Sequence, residues 1–258
     1  MTKIIVISIV YILSYYIIAQ DSLKDYREFI EYVELVDSNN IEVHNLLLTQ
    51  NLSNIWVGEN RRTFGFIGSK YRRLRIKFIS VIKDEQSANT YFVYGKSKVS
   101  KNIRDFQGKL LIEQVYKIKE PIELQDLESG LILGSYVFYE NSNLESTGKF
   151  EGRFVSYWYQ VEKGIAKYND LWDVAAGYNN NQFVGTWQSY STSTKLTAYW
   201  GDGRIPLSEG FDVGTSEFAP NLEYIQNGWE SYIKAWGGGF SKEEIEEARR
   251  EENEFWWK

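Results

Sequence analysis

Cysteine is absent from this chain of 258 residues, and histidine and methionine occur once each. Without cysteine the protein has no disulfide framework, no iron–sulfur cluster and no thiol nucleophile. The single histidine, His44, excludes a zinc site built from several imidazoles and leaves one candidate for a histidine-dependent triad. Carboxylates are then the main candidates for catalytic groups. The composition favours a protein that is not an enzyme and gives no reason to expect a metal ion or another cofactor.

Basic residues are in the minority, because 29 Lys and Arg stand against 35 Asp and Glu and the net charge is −6. This balance argues against a nucleic-acid partner, which requires a basic surface. One stretch is basic although the whole chain is acidic, because residues 61–83 hold eight Lys and Arg and no acidic residue. That stretch offers a contact for an acidic partner or an anionic surface. With 43% hydrophobic residues the chain can bury a large core, so it is not disordered.

The first 19 residues have the pattern of a secretory signal peptide. Lys3 and the amino terminus supply positive charge, and an uncharged apolar run then extends to the small residue Ala19. The run is shorter than the roughly 20 residues of a spanning helix, so cleavage is favoured over an uncleaved anchor. We therefore predict an exported protein, periplasmic or extracellular, with no transmembrane segment after cleavage.

Residues 20–62 are predicted to form a helical N-terminal segment. Apolar residues between Leu23 and Val33 recur at helical spacing, which predicts a helix over 22–36. A second short helix is predicted over 41–48. It contains His44, which is interpreted as a polar or half-buried helix residue because the sequence shows no further metal ligands to join it.

From residue 63 the hydrophobic period changes from about 3.6 to two. In the stretch 72–83, Leu74, Ile76, Phe78 and Ile82 share one face, and Arg73, Arg75 and Lys77 are predicted to face solvent. The predicted strands are 64–67, 72–83, 90–95, 110–118, 131–139, 147–161, 182–190 and 194–200. About eight strands without crossover helices predict an antiparallel barrel or sandwich with helical additions at both ends. A closed calycin-like barrel is favoured because it leaves no edge strand, and an outer-membrane barrel is the weaker alternative.

The predicted barrel domain covers residues 63–236 and includes a long loop at 201–220 that is rich in Gly and Pro. Long irregular loops in compact domains are often functional. Residues 237–258 are predicted to be an acidic C-terminal helix or tail. Its helix begins at Ser241, with Glu244 as the capping-box partner, and its many glutamates indicate a solvated segment.

The long loop carries four candidate catalytic carboxylates, which are Asp202, Glu209, Asp212 and Glu217. Two carboxyl groups at a suitable separation can cleave a glycosidic bond. The simpler interpretation is that Asp202 belongs to a tight turn with Gly203 and that the others solvate the loop.

Aromatic residues are abundant, with 19 Tyr, 14 Phe and 9 Trp, and they concentrate after residue 136. Exposed aromatic rings bind sugars and other flat apolar faces, although most Trp and Tyr in a sheet fill its core. The candidate ligand-binding residues are Trp172, Tyr199, Trp200 and Arg204. Trp187 is predicted to lie inside the barrel.

Three strings, YFVYGKSKVSKNIRDFQG (91–108), NNQFVGTWQSY (180–190) and WGDGRIP (200–206), resemble a group of uncharacterised exported bacterial proteins. The resemblance covers the chain from Phe64 to Tyr232 and implies export but no activity. In addition, Gly185-Thr186-Trp187 is similar to the G-x-W motif of lipocalin-like barrels. That motif opens the first strand in those families, whereas here it falls on the seventh predicted strand.

The sequence thus predicts a secreted or periplasmic, non-enzymatic binding protein whose partner is a small molecule, a glycan or an envelope protein. The alternatives are a glycan-acting hydrolase that uses a carboxylate pair from loop 201–220, and a structural protein of the cell envelope. A barrel cavity of roughly 300 Å³ or more would favour a ligand carrier, and a packed interior would favour contacts on the surface.

Overall fold

A computed structural model of the protein describes residues 49–58, 61–118, 127–161 and 164–258. The predicted signal peptide 1–19, the predicted helices 22–36 and 41–48, and His44 lie outside the described residues. The described part of the predicted segment 20–62 contains a 3₁₀ turn at Ser53–Ile55.

The described chain is mainly β, as predicted, with one antiparallel sheet. Its strands are β1 (Thr63–Ile67), β2 (Arg72–Lys83), β3 (Thr90–Val99), β4 (Asn102–Lys117), β5 (Leu127–Glu140), β6 (Gly148–Val161), β7 (Lys167–Tyr168), β8 (Asn180–Ser189) and β9 (Lys195–Asp202). The two-residue β7 pairs with the end of β6 beyond β8. The other eight strands pair in chain order, and β9 pairs back onto β1. These eight strands therefore close in a ring, which confirms the predicted barrel.

The interior of the ring is filled by aromatic side chains from six strands. They are Phe78, Phe106, Tyr136, Phe138, Phe150, Phe154, Trp158, Phe183 and Trp200. Phe183 and Trp200 stack with their ring centres 4.9 Å apart. A cavity that reaches in beside Trp56 measures about 30 Å³. Since small-molecule pockets measure roughly 300–1,000 Å³, this interior is packed and not hollow.

Inward-facing glycines make room for these rings on neighbouring strands. A Cβ atom at Gly95 would lie 2.5 Å from the ring of Phe106, and one at Gly134 would lie 2.6 Å from the ring of Phe154. Real Cβ atoms do not approach so closely. The added Cβ would also lie 2.5 Å from the Lys77 carbonyl oxygen or 2.2 Å from that of Leu111, so a larger residue at either position would disturb both the ring and the neighbouring strand. In the barrel interior, an aromatic ring on one strand thus occupies the space beside a glycine, which has no side chain, on the neighbouring strand.

The two ends of the barrel are closed by polar contacts. At one end Trp56 packs its ring against Tyr91 and Phe154, and its Nε1 donates to Ser156 Oγ at 2.9 Å. At the other end the buried Glu140 carboxylate accepts from Ser97, Gly148 and Trp187. Trp187 packs against the interior cluster, as predicted.

A β-bulge in β2 corrects one sequence prediction. The register between β2 and β3 shifts between Phe78 and Ser80. As a result Val81 is buried and Ile82 is 61% exposed, so the prediction that Ile82 shares the buried face of Leu74 was wrong. A bulge adds one residue and exchanges the two faces of the strand beyond it.

The chain beyond β9 forms a second layer on the outside of the barrel. Irregular chain leads to a 3₁₀ turn (Leu222–Asn227), then to helix α1 (Glu230–Trp236) and helix α2 (Lys242–Glu252). Its apolar side chains bury the outer face of β1 in what we call the outer cluster, formed by Phe64, Phe66, Ile205, Phe211, Phe218, Trp229 and Ile233. Helix α2 begins with the capping box predicted for Ser241 and Glu244. Among the described residues no helix is long and apolar enough to cross a membrane.

An ion-pair network holds α2 to the barrel. The Glu252 carboxylate accepts two hydrogen bonds of 2.6 Å from Arg73 and one of 2.9 Å from Arg75, and Ser231 donates to it as well. Burial alone would raise the pKa of Glu252, but the two arginines outweigh it and hold the pKa below its usual value. The prediction that the glutamates of this segment are solvated was wrong for Glu252, and the prediction that Arg73 and Arg75 face solvent was wrong, because α2 covers this part of β2.

Candidate functional site

An open groove runs past β1, between the rim of the barrel and the outer layer. It has two lobes of about 710 Å³ each, which share five lining residues: Arg61, Arg62, Phe64, Glu217 and Tyr232. We call the lobe beside residues 168–178 the loop lobe and the lobe beside β2 and α2 the basic lobe. The two lobes adjoin at these five shared residues, so an extended ligand that lies over them can contact both.

The loop lobe combines tyrosines with carboxylates. Besides the shared residues it is lined by Gly58, Tyr168, Asp170, Asp173, Val174, Ala175, Tyr178, Asp202, Gly203, Ser216 and Phe218. Its two walls are tied together, because the Gly177 amide donates to the Ser216 carbonyl at 2.8 Å. Tyr178 also donates to the Asn169 carbonyl at 2.7 Å, which fixes the start of the loop. These bonds fix the position of the segment 169–178 that lines the lobe.

Asp202 lies at the inner end of the loop lobe and is almost completely buried. Its carboxylate accepts from Thr63 at 2.6 Å, from Asn181 at 2.9 Å and from Tyr168 at 3.1 Å. Burial raises the pKa of the Asp202 carboxyl above its usual value, and the charge of Arg61 opposes that shift. Because three neutral donors occupy its oxygens, Asp202 holds β1, β7 and β8 together at the barrel rim.

The basic lobe combines cations with tryptophans. Besides the shared residues it is lined by Thr63, Arg73, Arg75, Ile76, Lys77, Trp236, Arg249, Glu252, Asn253, Glu254, Phe255, Trp256 and Trp257. Trp236 is 43% exposed and packs against Tyr232, with ring centres 4.9 Å apart. The Lys77 ammonium lies 4.7 Å from the centre of the Trp257 ring. The chain after α2 thus forms one wall of this lobe.

The four predicted carboxylates separate into different roles. Asp202 and Glu217 line the same lobe. Asp212 instead pairs with Arg204 at 2.9 Å and accepts from two backbone amides of its own loop. Glu209 is exposed and lies outside both lobes. Two of the four therefore line the same lobe.

The predicted ligand-binding residues also separate. Trp200 is 1% exposed inside the barrel, so its ring offers no face to a ligand. Arg204 braces the long loop, because it donates to the carbonyls of Gly214 and Glu217 in addition to its pair with Asp212. Tyr199 packs against Phe66 in the outer cluster. Trp172 is 61% exposed. It lies in the sequence between Asp170 and Asp173, which line the loop lobe, but it does not line the lobe itself.

Several groove residues were missed by the sequence reasoning, among them Arg62, Tyr168, Tyr178, Tyr232 and Trp236. The basic stretch 61–83 was a signal for Arg62, which lies at its start. Nothing in the sequence indicates that the two-residue strand β7 brings Tyr168 to the barrel rim, because so short a strand has no period.

No group of three or more His, Cys, Asp or Glu side chains in the described part of the chain is placed to hold a metal ion. No family model matches this protein, and comparisons with curated proteins and with solved structures give no match either. The resemblance to exported bacterial proteins stays a prediction.

Proposed function

We propose that this protein is an exported, non-enzymatic binding protein that holds a glycan in the outer groove. The observation that carries this proposal is the contrast in free volume. The cavity inside the barrel measures about 30 Å³, whereas each lobe of the groove measures about 710 Å³. The barrel then acts as a rigid scaffold, and the ligand lies outside it.

The chemistry of the groove suits a sugar. A pyranose ring has an apolar face that packs on an aromatic ring and hydroxyls that bond to carboxylates and guanidinium groups. Trp236 and Tyr232 supply adjacent rings, while Asp170, Asp173 and Arg62 supply polar groups along the same groove. Export rests on the signal peptide predicted for residues 1–19 and would expose the groove to extracellular or envelope glycans.

Retention on a glycan array tests the proposal. We expect the purified protein to retain at least one glycan, and we expect Trp236→Ala to weaken that binding about tenfold, or 1.4 kcal/mol. The matched control is Phe92→Ala, since Phe92 is also 43% exposed but lies on β3, outside the groove lining. Circular dichroism checks that both variants are folded. No retention of any glycan, or equal loss in both variants, would contradict the proposal.

A glycan hydrolase is the second candidate, because Asp202 and Glu217 line one lobe and burial raises the pKa of Asp202. A raised carboxyl pKa is typical of the general acid in glycoside cleavage. The test is release of new reducing ends from a retained glycan. Product that disappears in Glu217→Gln would make the protein an enzyme, and unchanged glycan after prolonged incubation would leave the binding function.

A further inference from the structure

We infer that the groove selects glycans that carry carboxylate or sulfate groups, with the anionic group held in the basic lobe. This inference rests on the proposed function and names its ligand class. Among the described residues that line the basic lobe, six are cationic (Arg61, Arg62, Arg73, Arg75, Lys77 and Arg249) and three are carboxylates (Glu217, Glu252 and Glu254). Such an excess of positive charge is unusual in a chain whose net charge is −6.

Several of these cations are held by backbone carbonyls, including Lys77, whose ammonium donates to the carbonyl of Gly58. Arg61 donates to the carbonyls of Ile55 at 2.6 Å and Asn54 at 2.7 Å, and Arg249 donates to that of Ala235 at 3.1 Å. A carbonyl oxygen satisfies a donor and fixes the side chain, but it does not neutralise the charge. The basic lobe therefore presents oriented positive charge to whatever enters it.

Arg62 is the side chain best placed to meet an anion. It is exposed, it lines both lobes, and it neither donates to nor pairs with any described residue. A guanidinium binds a carboxylate or sulfate through two parallel hydrogen bonds. Phe64 and Tyr232 line the same junction, so a sugar ring can pack beside its own bound anionic group.

The loop lobe distinguishes an acidic glycan from a nucleic acid. Asp170, Asp173 and Glu217 line it, and they would repel a backbone that carries a charge on every unit. The same carboxylates accept hydrogen bonds from sugar hydroxyls. A glycan that combines hydroxyl-rich and anionic units matches both lobes, whereas a nucleic acid matches only the basic one.

Four probes test the inference on the full mature protein: galacturonan and heparin oligosaccharides, galacturonan reduced at its carboxyl groups, and a single-stranded DNA oligonucleotide. We expect at least one acidic sugar to bind tenfold or more tighter than the reduced galacturonan. Arg62→Ala should weaken that binding about tenfold, reduce its salt dependence and leave the reduced sugar unaffected. Arg250→Ala is the matched control, because it removes the same charge from an exposed residue of α2 outside the groove lining.

The outcomes separate the inference from the proposed function. Equal binding of acidic and reduced sugars, or neutral hits alone on the glycan array, would overturn the inference and leave the binding function intact. Binding of DNA as tight as that of the acidic sugars would overturn the ligand class. Failure to bind any glycan, on the array or among these probes, would overturn both. Equal losses in Arg62→Ala and Arg250→Ala would show a general charge effect and would also count against the basic lobe.

Discussion

The barrel interior and the outer cluster are built from the same residue types but are closed in different ways. Inside, the rings of Phe183, Trp200 and their neighbours are enclosed by eight paired strands. Outside, Phe64 and Phe66 are covered from one side by chain that follows β9. The closed barrel encloses its core side chains on all sides. The chain that follows β9 covers only one side of β1, so space remains along the edge of this outer layer, and that space is the groove.

The two regions also differ in the groups that hydrogen-bond to their buried carboxylates. At the barrel rim, Asp202 is satisfied by three neutral donors. In the outer layer, Glu252 is held by two arginines whose side chains are 10% and 13% exposed. The outer layer therefore depends on ionisation in a way that the interior aromatic packing does not. Three experiments test this contrast.

The largest effect is expected inside the barrel. Trp200→Ala removes a side chain that is 1% exposed, and we expect a loss of about 3–5 kcal/mol in the free energy of unfolding. Trp236→Ala at the groove wall, where the ring is 43% exposed, should cost less than about 1 kcal/mol. Urea unfolding measures both. Similar losses in the free energy of unfolding in the two variants would contradict the contrast between a fully enclosed barrel interior and a partly exposed groove wall.

A smaller effect is expected from the ion pair. Glu252→Gln leaves Arg73 and Arg75 without their carboxylate, and we expect a loss of about 2–4 kcal/mol in the same urea experiment. Glu247→Gln is the control, because Glu247 is exposed on the same helix, and its change should stay within about 0.5 kcal/mol. If both substitutions prove neutral, the outer layer is held by its aromatic contacts and the charge contrast fails.

The smallest effect is expected from acid. Because the pKa of Glu252 is lower in the folded protein, its stabilising contribution is complete above the usual carboxyl pKa and is lost as pH falls through the lowered value. Hydrogen exchange, corrected for intrinsic rates, should show α1 and α2 losing protection before β5 and β6 do as pH falls below the usual carboxyl pKa of 4.5. Glu252→Gln should remove this difference. Simultaneous loss of protection in all elements would contradict it.

Most strand positions were predictable because long strands carry their own period, although β4 begins at Asn102, eight residues before its predicted start. The alternation of Arg and apolar residues over 72–83 matches β2 from end to end. The bulge after Phe78 was not predictable, since it depends on how β3 pairs with β2 and leaves no mark in the residue order. The inward-facing residues were therefore assigned correctly up to Phe78 and wrongly beyond it, and the outward-facing Arg73 and Arg75 are covered by α2 instead of solvent.

The groove was predictable only in part, because it is assembled from parts of the chain that are far apart. Asp202 and Glu217 were identified from the long loop, and both line the loop lobe. Arg62 lies more than 150 positions from Tyr232, and the docking of α1 places both in the lining of the groove. No local sequence pattern indicates that two such distant residues line one groove. The same distance explains why Glu252 was interpreted as solvated although it binds Arg73 on β2.

The pairing of β1 with β9 has a consequence for how the molecule forms. Phe64 lies opposite Gly201, so the ring cannot close until almost all of the barrel sequence is present. Contacts between such distant residues carry a high entropic cost and slow the folding of β proteins. The outer layer needs the closed ring as its support, because it packs on β1 beside that seam. We therefore expect the groove to form last during folding, and a chain that stops before β9 to expose β1 and β8 as unpaired edge strands.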